Sequence, residues 1–243
     1  MDASGQLSQL VPVSTNTLQY RVYQTLRNTL LDGQFLPGEV FTIRALADVI
    51  GTSVMPVREA LARLDAEGAV EIRHPGRQTS IPIMSRDSVT ELYRVRSELE
   101  GMAARMAARR ITPAEIGAIE PIIGQMQEAL DTREVDQFLR ANRAFHFAIY
   151  HAAQSHHLMP IIESLWLKLG PLLRVSLGPD AQAGGLVDGG QPHHERALAA
   201  LRSGDEEAAC AAIRSDLADT GAWFEANYHP EAVAKLSAVR HSD

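Results

Sequence analysis

Nine histidines and one cysteine, Cys210, are the residues of this 243-residue chain best suited to metal or acid–base chemistry. Asn142 and His146 lie four positions apart in a segment of helical periodicity, so both side chains leave one face of that helix. His194 opens a later helical segment, and Asp216 lies inside the last long one. His151, His156, His157 and His193 accompany them. A neutral imidazole binds metal or exchanges hydrogen bonds. The pattern therefore admits a ligand or cation site, and equally a set of structural or solvated histidines. One cysteine cannot close an internal disulfide and excludes a Cys-rich zinc module. No nucleophile motif and no general base accompanies the histidines. Two arginines are placed for different chemistry. Arg58 sits one turn into a short helix, in reach of guanine or phosphate. Arg44 starts the preceding helix, where a guanidinium and helix N–H groups together hold a phosphate.

The elements around those arginines follow from periodicity and punctuation. Leu18, Val22, Leu26 and Leu30 have helical spacing, and Asp32–Gly38 breaks that helix with turn residues. Thr42 is a cap for a helix carrying Ile43, Leu46, Ala47 and Ile50. Gly51-Thr52 makes a tight turn. Ser53 then caps a third helix with Pro56 in its first turn and a buried stripe of Val57, Leu61 and Leu64, ended by Gly68. Val70–Ile72 and Thr79–Ile81 predict two short strands around His74-Pro75-Gly76-Arg77. Three helices and a two-stranded wing make a winged helix-turn-helix pattern. Its third helix enters the major groove with its N-terminus at the base edges. The wing tip, with His74, Gly76 and Arg77, suits a minor-groove or backbone contact. Taken alone, the same three helices also describe a small interaction module.

After Ser85 the chain predicts only helices, near 87–110, 112–131, 134–153, 157–177, 192–203 and 205–228, with Gly178–Gln191 as a glycine-rich loop. The fold class is mainly α: a flexible arm (1–17), a winged helix-turn-helix domain (18–84), an all-α helical bundle (85–228) and a frayed tail (229–243). Formal charge is −7, which at first opposes nucleic-acid binding. Residues 1–84, however, hold seven basic and eight acidic side chains, so nearly all the acidity belongs to the bundle. No apolar run reaches the ~18 residues of a membrane span, and the first residues lack a basic, then apolar, secretory pattern. A cytoplasmic protein with no membrane partner is the expectation.

The string Gly33-Gln34-Phe35-Leu36-Pro37-Gly38-Glu39, Arg44-Ala45-Leu46-Ala47, Ser53-Val54-Met55-Pro56-Val57-Arg58-Glu59-Ala60-Leu61 and Leu64-Asp65-Ala66-Glu67-Gly68 resembles the DNA-binding domain of the GntR family of bacterial transcriptional regulators over about residues 18–82. The resemblance implies DNA contacts at Arg44, Ser53, Val54, Arg58, His74, Gly76 and Arg77. Many members carry Arg-Thr where this chain has Val54-Met55, so the resemblance carries over the DNA binding but not the operator sequence. Val54 suits a thymine methyl group.

Tyr93-Arg94-Val95-Arg96-Ser97-Glu98-Leu99-Glu100, Asn142-Arg143-Ala144-Phe145-His146 and His194-Glu195-Arg196-Ala197-Leu198 followed by Ser203-Gly204-Asp205 resemble the FCD ligand-binding domain of FadR-type members over about 88–224. In metal-binding members an Asp and three His hold a divalent cation. Position by position these become Asn142, His146, His194 and Asp216, so the set departs twice from the pattern. Two imidazoles and a carboxylate still suit Zn, Ni, Fe or Mn. In a metal-free pocket, the two histidines would instead hydrogen-bond a ligand carboxylate directly. The resemblance also implies a small carboxylate effector. Arg96 is a second anchor for it, or else pairs with Glu100 one turn along. Trp166, Leu169 and Leu173 line the pocket or belong to the core.

Together these imply a homodimeric repressor that reads an inverted-repeat operator in double-stranded DNA and responds to the effector. A regulator sensing the metal itself is the alternative. A metal-dependent enzyme leaves the winged helix unexplained.

Overall fold

The computed structural model describes residues 17–73, 78–177 and 184–239, with side chains of 184–189 excepted. Thr17 caps α1 (Leu18–Leu31), its hydroxyl accepting from the Tyr20 amide, and Val22, Tyr23, Leu26 and Leu30 form the buried stripe. After β1 (Val40–Thr42), Thr42 caps α2 (Ile43–Ile50). Gly51, at φ +74°, turns the chain where a side chain would be strained. α3 (Val54–Ala66) follows and buries Val57, Ala60, Leu61 and Leu64 against α1. Each fully buried leucine contributes roughly 1.5–3 kcal/mol. Ser53 occupies the N-cap position, but its side chain makes no capping bond. The expected cap is corrected to that extent.

Among the described residues the wing has three strands. β2 (Glu71–Arg73) and β3 (Gln78–Ser80) are antiparallel, and β1 adds to the other edge of β3 with Val40 opposite Ser80. A three-residue strand is too short to show alternation, so periodicity misses β1.

The bundle comprises α4 (Arg86–Ala108), α5 (Pro113–Asp131), α6 (Val135–Ala152), α7 (Leu158–Ser176), α8 (Gly184–Ser203), α9 (Glu206–Asn227) and α10 (Pro230–Val239). α4 packs along α9, α9 along α8, and α5 along α6. Thr112 and Glu115 close a reciprocal capping box at the start of α5. Two expectations change. α8 begins at Gly184, inside the segment expected to be a glycine-rich loop. Glycine is about 1 kcal/mol less favourable than alanine in a helix, a preference that tertiary packing overrides. Residues 230–239, expected to fray, form α10. Its Val233 is buried, and its Ser237 hydroxyl donates to the Pro37 carbonyl of the winged domain.

The two domains meet mainly along α1 and α7. Gly33 and Gly170 bring the backbones into direct contact: a Cβ on Gly170 would lie 2.0 Å from the Leu30 carbonyl oxygen. Arg27 pairs with Glu163 at 2.7 Å and Arg143 with Asp32 at 3.1 Å, while Arg174 bridges the Gly33 carbonyl and Asp136. Tyr228 at the end of α9 donates to the Met84 carbonyl at 3.0 Å. No helix among the described residues is long and apolar enough to cross a membrane.

Candidate functional site

Two surfaces carry the chemistry. The first is the start of α3. Val54 and Met55 are 41% and 56% exposed, and Val49 at the end of α2 is 87% exposed. Apolar side chains left in water beside a helix N-terminus are poorly explained by packing and well suited to base edges carrying methyl groups. Arg44 and Arg58 are exposed and make no ion pair among the described residues. Arg63, by contrast, is engaged: it lies 3.8 Å over the Tyr23 ring and pairs with Glu67. Ser53, Val54 and Arg58 thus stand together at the third-helix start. Arg44 lies on the helix before it. His74, Gly76 and Arg77 lie outside the described residues.

The second surface is a cavity in the bundle. α6 supplies Asn142 and His146, α8 supplies His194, and α9 supplies Asp216. Ligand atoms of His146, His194 and Asp216 lie within 4.8 Å of one another. His146 Nε2 is 3.5 Å from Asp216 Oδ2, and His194 Nε2 is 3.7 Å from Asp216 Oδ1. Atoms 2.0–2.2 Å from a tetrahedral cation stand about 3.4 Å apart, so the spacing fits one ion between them. Asn142 lines the same cavity one turn before His146. Gly190 and Gln191 of α8 line the cavity, and a Cβ on Gly190 would sit at ordinary contact distance from Asp216 Oδ1 (3.5 Å) and His194 Cε1 (3.6 Å).

Electrostatics point the same way. Burial, reinforced by His194 and Arg96, holds His146 well below the usual imidazole range. Burial and then His193 bring His194 down to about 4. Burial pushes the Asp216 carboxyl up to about 7, against the opposing pull of His193 and Arg96. Both imidazoles are held below their ordinary range and the carboxyl above its own, so burial favours the neutral form of each and their approaches are not built as ion pairs. Among the described residues, neither ring nitrogen of His194, both buried, has a hydrogen-bond partner. Leaving a buried polar group unmet costs about 1–3 kcal/mol. A divalent cation would meet it, restore the carboxylate and use the donor set present. The residues fit such an ion.

Arg96 reaches the cavity wall, but its Nε and one terminal nitrogen donate to Glu100 at 2.6 and 3.1 Å. Of its two expected roles the structure holds the intrahelical pair, and a bidentate grip on an effector would have to break a buried ion pair. Trp166, Leu169 and Leu173 are both core and cavity wall. Sequence reasoning missed Tyr150, whose hydroxyl contacts His146 Nδ1 at 3.0 Å. The signal was available: Asn142, His146 and Tyr150 repeat at four-residue spacing. His193, named in the sequence only among the accompanying histidines, contacts Asp219 at 2.7 Å and Arg196 at 2.6 Å beside the site.

Comparison with known proteins adds an independent line. Residues 18–79 match the profile described as bacterial regulatory proteins, gntR family, and residues 91–219 match that of the FCD domain. The chain is 32% identical over 155 residues to the HTH-type transcriptional regulator McbR of Escherichia coli K12, covering 64% of this chain and 70% of that protein. It is 27% identical over 158 residues to the HTH-type transcriptional repressor RspR of the same organism, covering 65% and 68%. A solved structure of E. coli McbR/YncC superposes with a TM-score of 0.80 at 28% identity, covering 88% of this chain and 99% of that one. A structure described as a GntR transcriptional regulator from Rhodococcus sp. RHA1 shares the fold, with a TM-score of 0.68 at 22% identity over 87% and 99%. A winged helix with an exposed third-helix start, joined to a helical bundle with a buried donor cluster, matches these proteins over both parts, and the chain belongs to the GntR family of bacterial transcriptional regulators, with an FCD effector-binding domain following its DNA-binding domain.

Proposed function

We propose that this regulator is a homodimeric repressor that senses a small carboxylate through a divalent metal held by His146, His194, Asp216 and Asn142. The observation that carries the reading is the buried donor cluster, in which neither nitrogen of His194 has a partner among the described residues. Zn, Ni, Fe and Mn all accept two imidazoles and a carboxylate. A bound cation with open coordination positions gives an effector carboxylate its place. The cavity is about 50 Å³, room for only a few water-sized atoms, which suits a short acid. The names of RspR and of GlaR, a transcriptional repressor of E. coli K12 that is 28% identical over 149 residues, support repression. α7 connects sensing to DNA. Its Trp166, Leu169 and Leu173 line the cavity, while its Gly170 presses on α1 of the winged domain. An acid that binds the DNA-competent and DNA-incompetent dimers unequally shifts operator affinity through that contact. Two winged helices on a two-fold axis would read an inverted repeat.

The same small volume also favours a second reading, in which the metal itself is the effector. One experiment serves both. Purified protein is analysed for metal, and operator binding is followed while metal is titrated with and without short hydroxy and keto acids. The pair His146→Ala with His194→Ala is expected to lose metal and the acid response while retaining operator binding. A double variant that still responds to acid puts the pocket elsewhere. Operator release by metal alone favours the second reading.

A further inference from the structure

We propose that Glu100, acting through Tyr150, is the positioning device of this site: the chain Glu100–Tyr150–His146 holds His146 as the tautomer protonated on Nδ1, leaving the Nε2 lone pair aimed at Asp216. The inference rests on the metal reading for its purpose. The tautomer itself is a property of the protein without metal.

Counting the protons available fixes the direction of each hydrogen bond. The Tyr150 hydroxyl has one hydrogen and stands 2.5 Å from Glu100 Oε2. A carboxylate only accepts, so Tyr150 donates to Glu100. His146 Nδ1 stands 3.0 Å from the same hydroxyl oxygen, which now can only accept. Nδ1 must therefore be the donor. In a neutral imidazole the other nitrogen is then bare. That nitrogen, Nε2, is the one 3.5 Å from Asp216 Oδ2. A metal arriving there meets a lone pair and has no imidazole proton to displace.

The far end of the chain is held as firmly. Glu100 Oε1 accepts from Arg96 Nε at 2.6 Å and from Trp166 Nε1 at 3.1 Å, and Oε2 accepts from Arg96 and Tyr150. Four donors occupy the roughly four acceptor positions of a carboxylate, so its orientation has no slack. Arg96, Glu100, His146, Tyr150 and Trp166 are all at most 2% exposed. Three helices contribute: Glu100 from α4, His146 and Tyr150 from α6, Trp166 from α7. A buried ion pair is weak evidence for stability as such, since apolar residues of equal volume often do as well. Orienting a metal ligand explains why this core holds one. Partners of this kind, on the far nitrogen of a ligating histidine, tune metal affinity by about 10- to 100-fold.

The test begins with the unmodified protein. With metal removed by chelation, 15N-histidine NMR reports the tautomer of each ring, the His146 signals being identified by their loss in His146→Asn. The expected result is a single Nδ1–H tautomer at His146. An Nε2–H tautomer, or an averaged pair, overturns the proposal whether or not any variant folds. Tyr150→Phe then removes only the hydroxyl. Zinc affinity, measured by competition with a chromophoric chelator, should fall about 10- to 100-fold, and the His146 signals should move to averaged values while the α-helical circular dichroism persists. Unchanged zinc affinity in a folded Tyr150→Phe also overturns it. If the unmodified protein takes up no zinc, the metal reading fails, and the tautomer measurement alone decides this one.

Discussion

Gly170→Ala tests whether the winged domain is held by a backbone-on-backbone joint. A Cβ at this position would lie 2.0 Å from the Leu30 carbonyl oxygen, and 3.1 Å from both Leu30 C and Gly33 N, against the 3.4 Å at which ordinary contact begins. The obstruction is backbone, so no side-chain rotation relieves it. α1 and α7 must part by about 1.4 Å. Across the same seam the Arg27–Glu163 pair and the Arg174 bridge to Gly33 are stretched. Overpacking of this kind costs about 1–3 kcal/mol, and for a chain of this size each kcal/mol lowers the midpoint by about 2–4 °C. Thermal melting of the full chain should thus shift down by roughly 2–12 °C. The donors of the buried site come from α6, α8 and α9, so metal content should be retained. What should weaken is the effect of site occupancy on operator affinity, measured by fluorescence anisotropy with labelled duplex. A Gly170→Ala variant that melts with the original and responds to its effector in full would refute the joint and the route through α7.

Arg58→Ala should weaken operator binding by about 1–3 kcal/mol if the guanidinium reads a base; anisotropy titrations giving unchanged affinity would remove it from the interface. Operator affinity should fall steeply between 50 and 200 mM salt as phosphate contacts release counterions, and a flat dependence would contradict DNA contact through Arg44 and Arg58. Stability of the chelated protein should have a pH optimum set by the site. His146 and His194 both have lowered folded-state values; the His194 contribution grows as pH rises from about 4 to 6.5, and that of His146 grows in the same direction. Asp216, raised to about 7, loses its contribution as pH rises from its ordinary value to about 7. Two histidines outweigh one carboxyl below 6.5, at about 1.4 kcal/mol per proton per pH unit; above 6.5 only the Asp216 loss remains. Melting temperature should therefore peak near pH 6.5 without metal, and zinc, by holding Asp216 ionised, should remove the fall above it. Identical pH profiles with and without zinc would exclude those residues as ligands.

Much of this protein is legible in one dimension. Helical spacing of Val22, Leu26 and Leu30, the Thr42 cap, the Gly51 turn and the Val57, Leu61, Leu64 stripe each arise from contacts within a few residues, and each appears in the folded domain. Asn142 and His146 on one helix face are equally local. The weaker signals were those whose cause is remote. Glycines at 184–190 argue for a loop, yet they open α8, whose Gly190 and Gln191 line the cavity beside His194 and Asp216. Residues 230–239 carry no strong periodicity and are held by burial of Val233 and by Ser237 reaching Pro37, two hundred positions earlier. Arg96 offered two roles at equal spacing. Only the arrival of Tyr150 and Trp166 from other helices, both donating to Glu100, makes the pair with Glu100 the settled one. Which helices form and which faces carry donors follow from local sequence, because backbone hydrogen bonding and amphipathicity act over a turn or two. Which donors meet, which nitrogen is left without a partner and which carboxyl keeps its proton were decided by tertiary structure. Those outcomes depend on water being excluded from groups that lie far apart in the chain and a few ångströms apart in space.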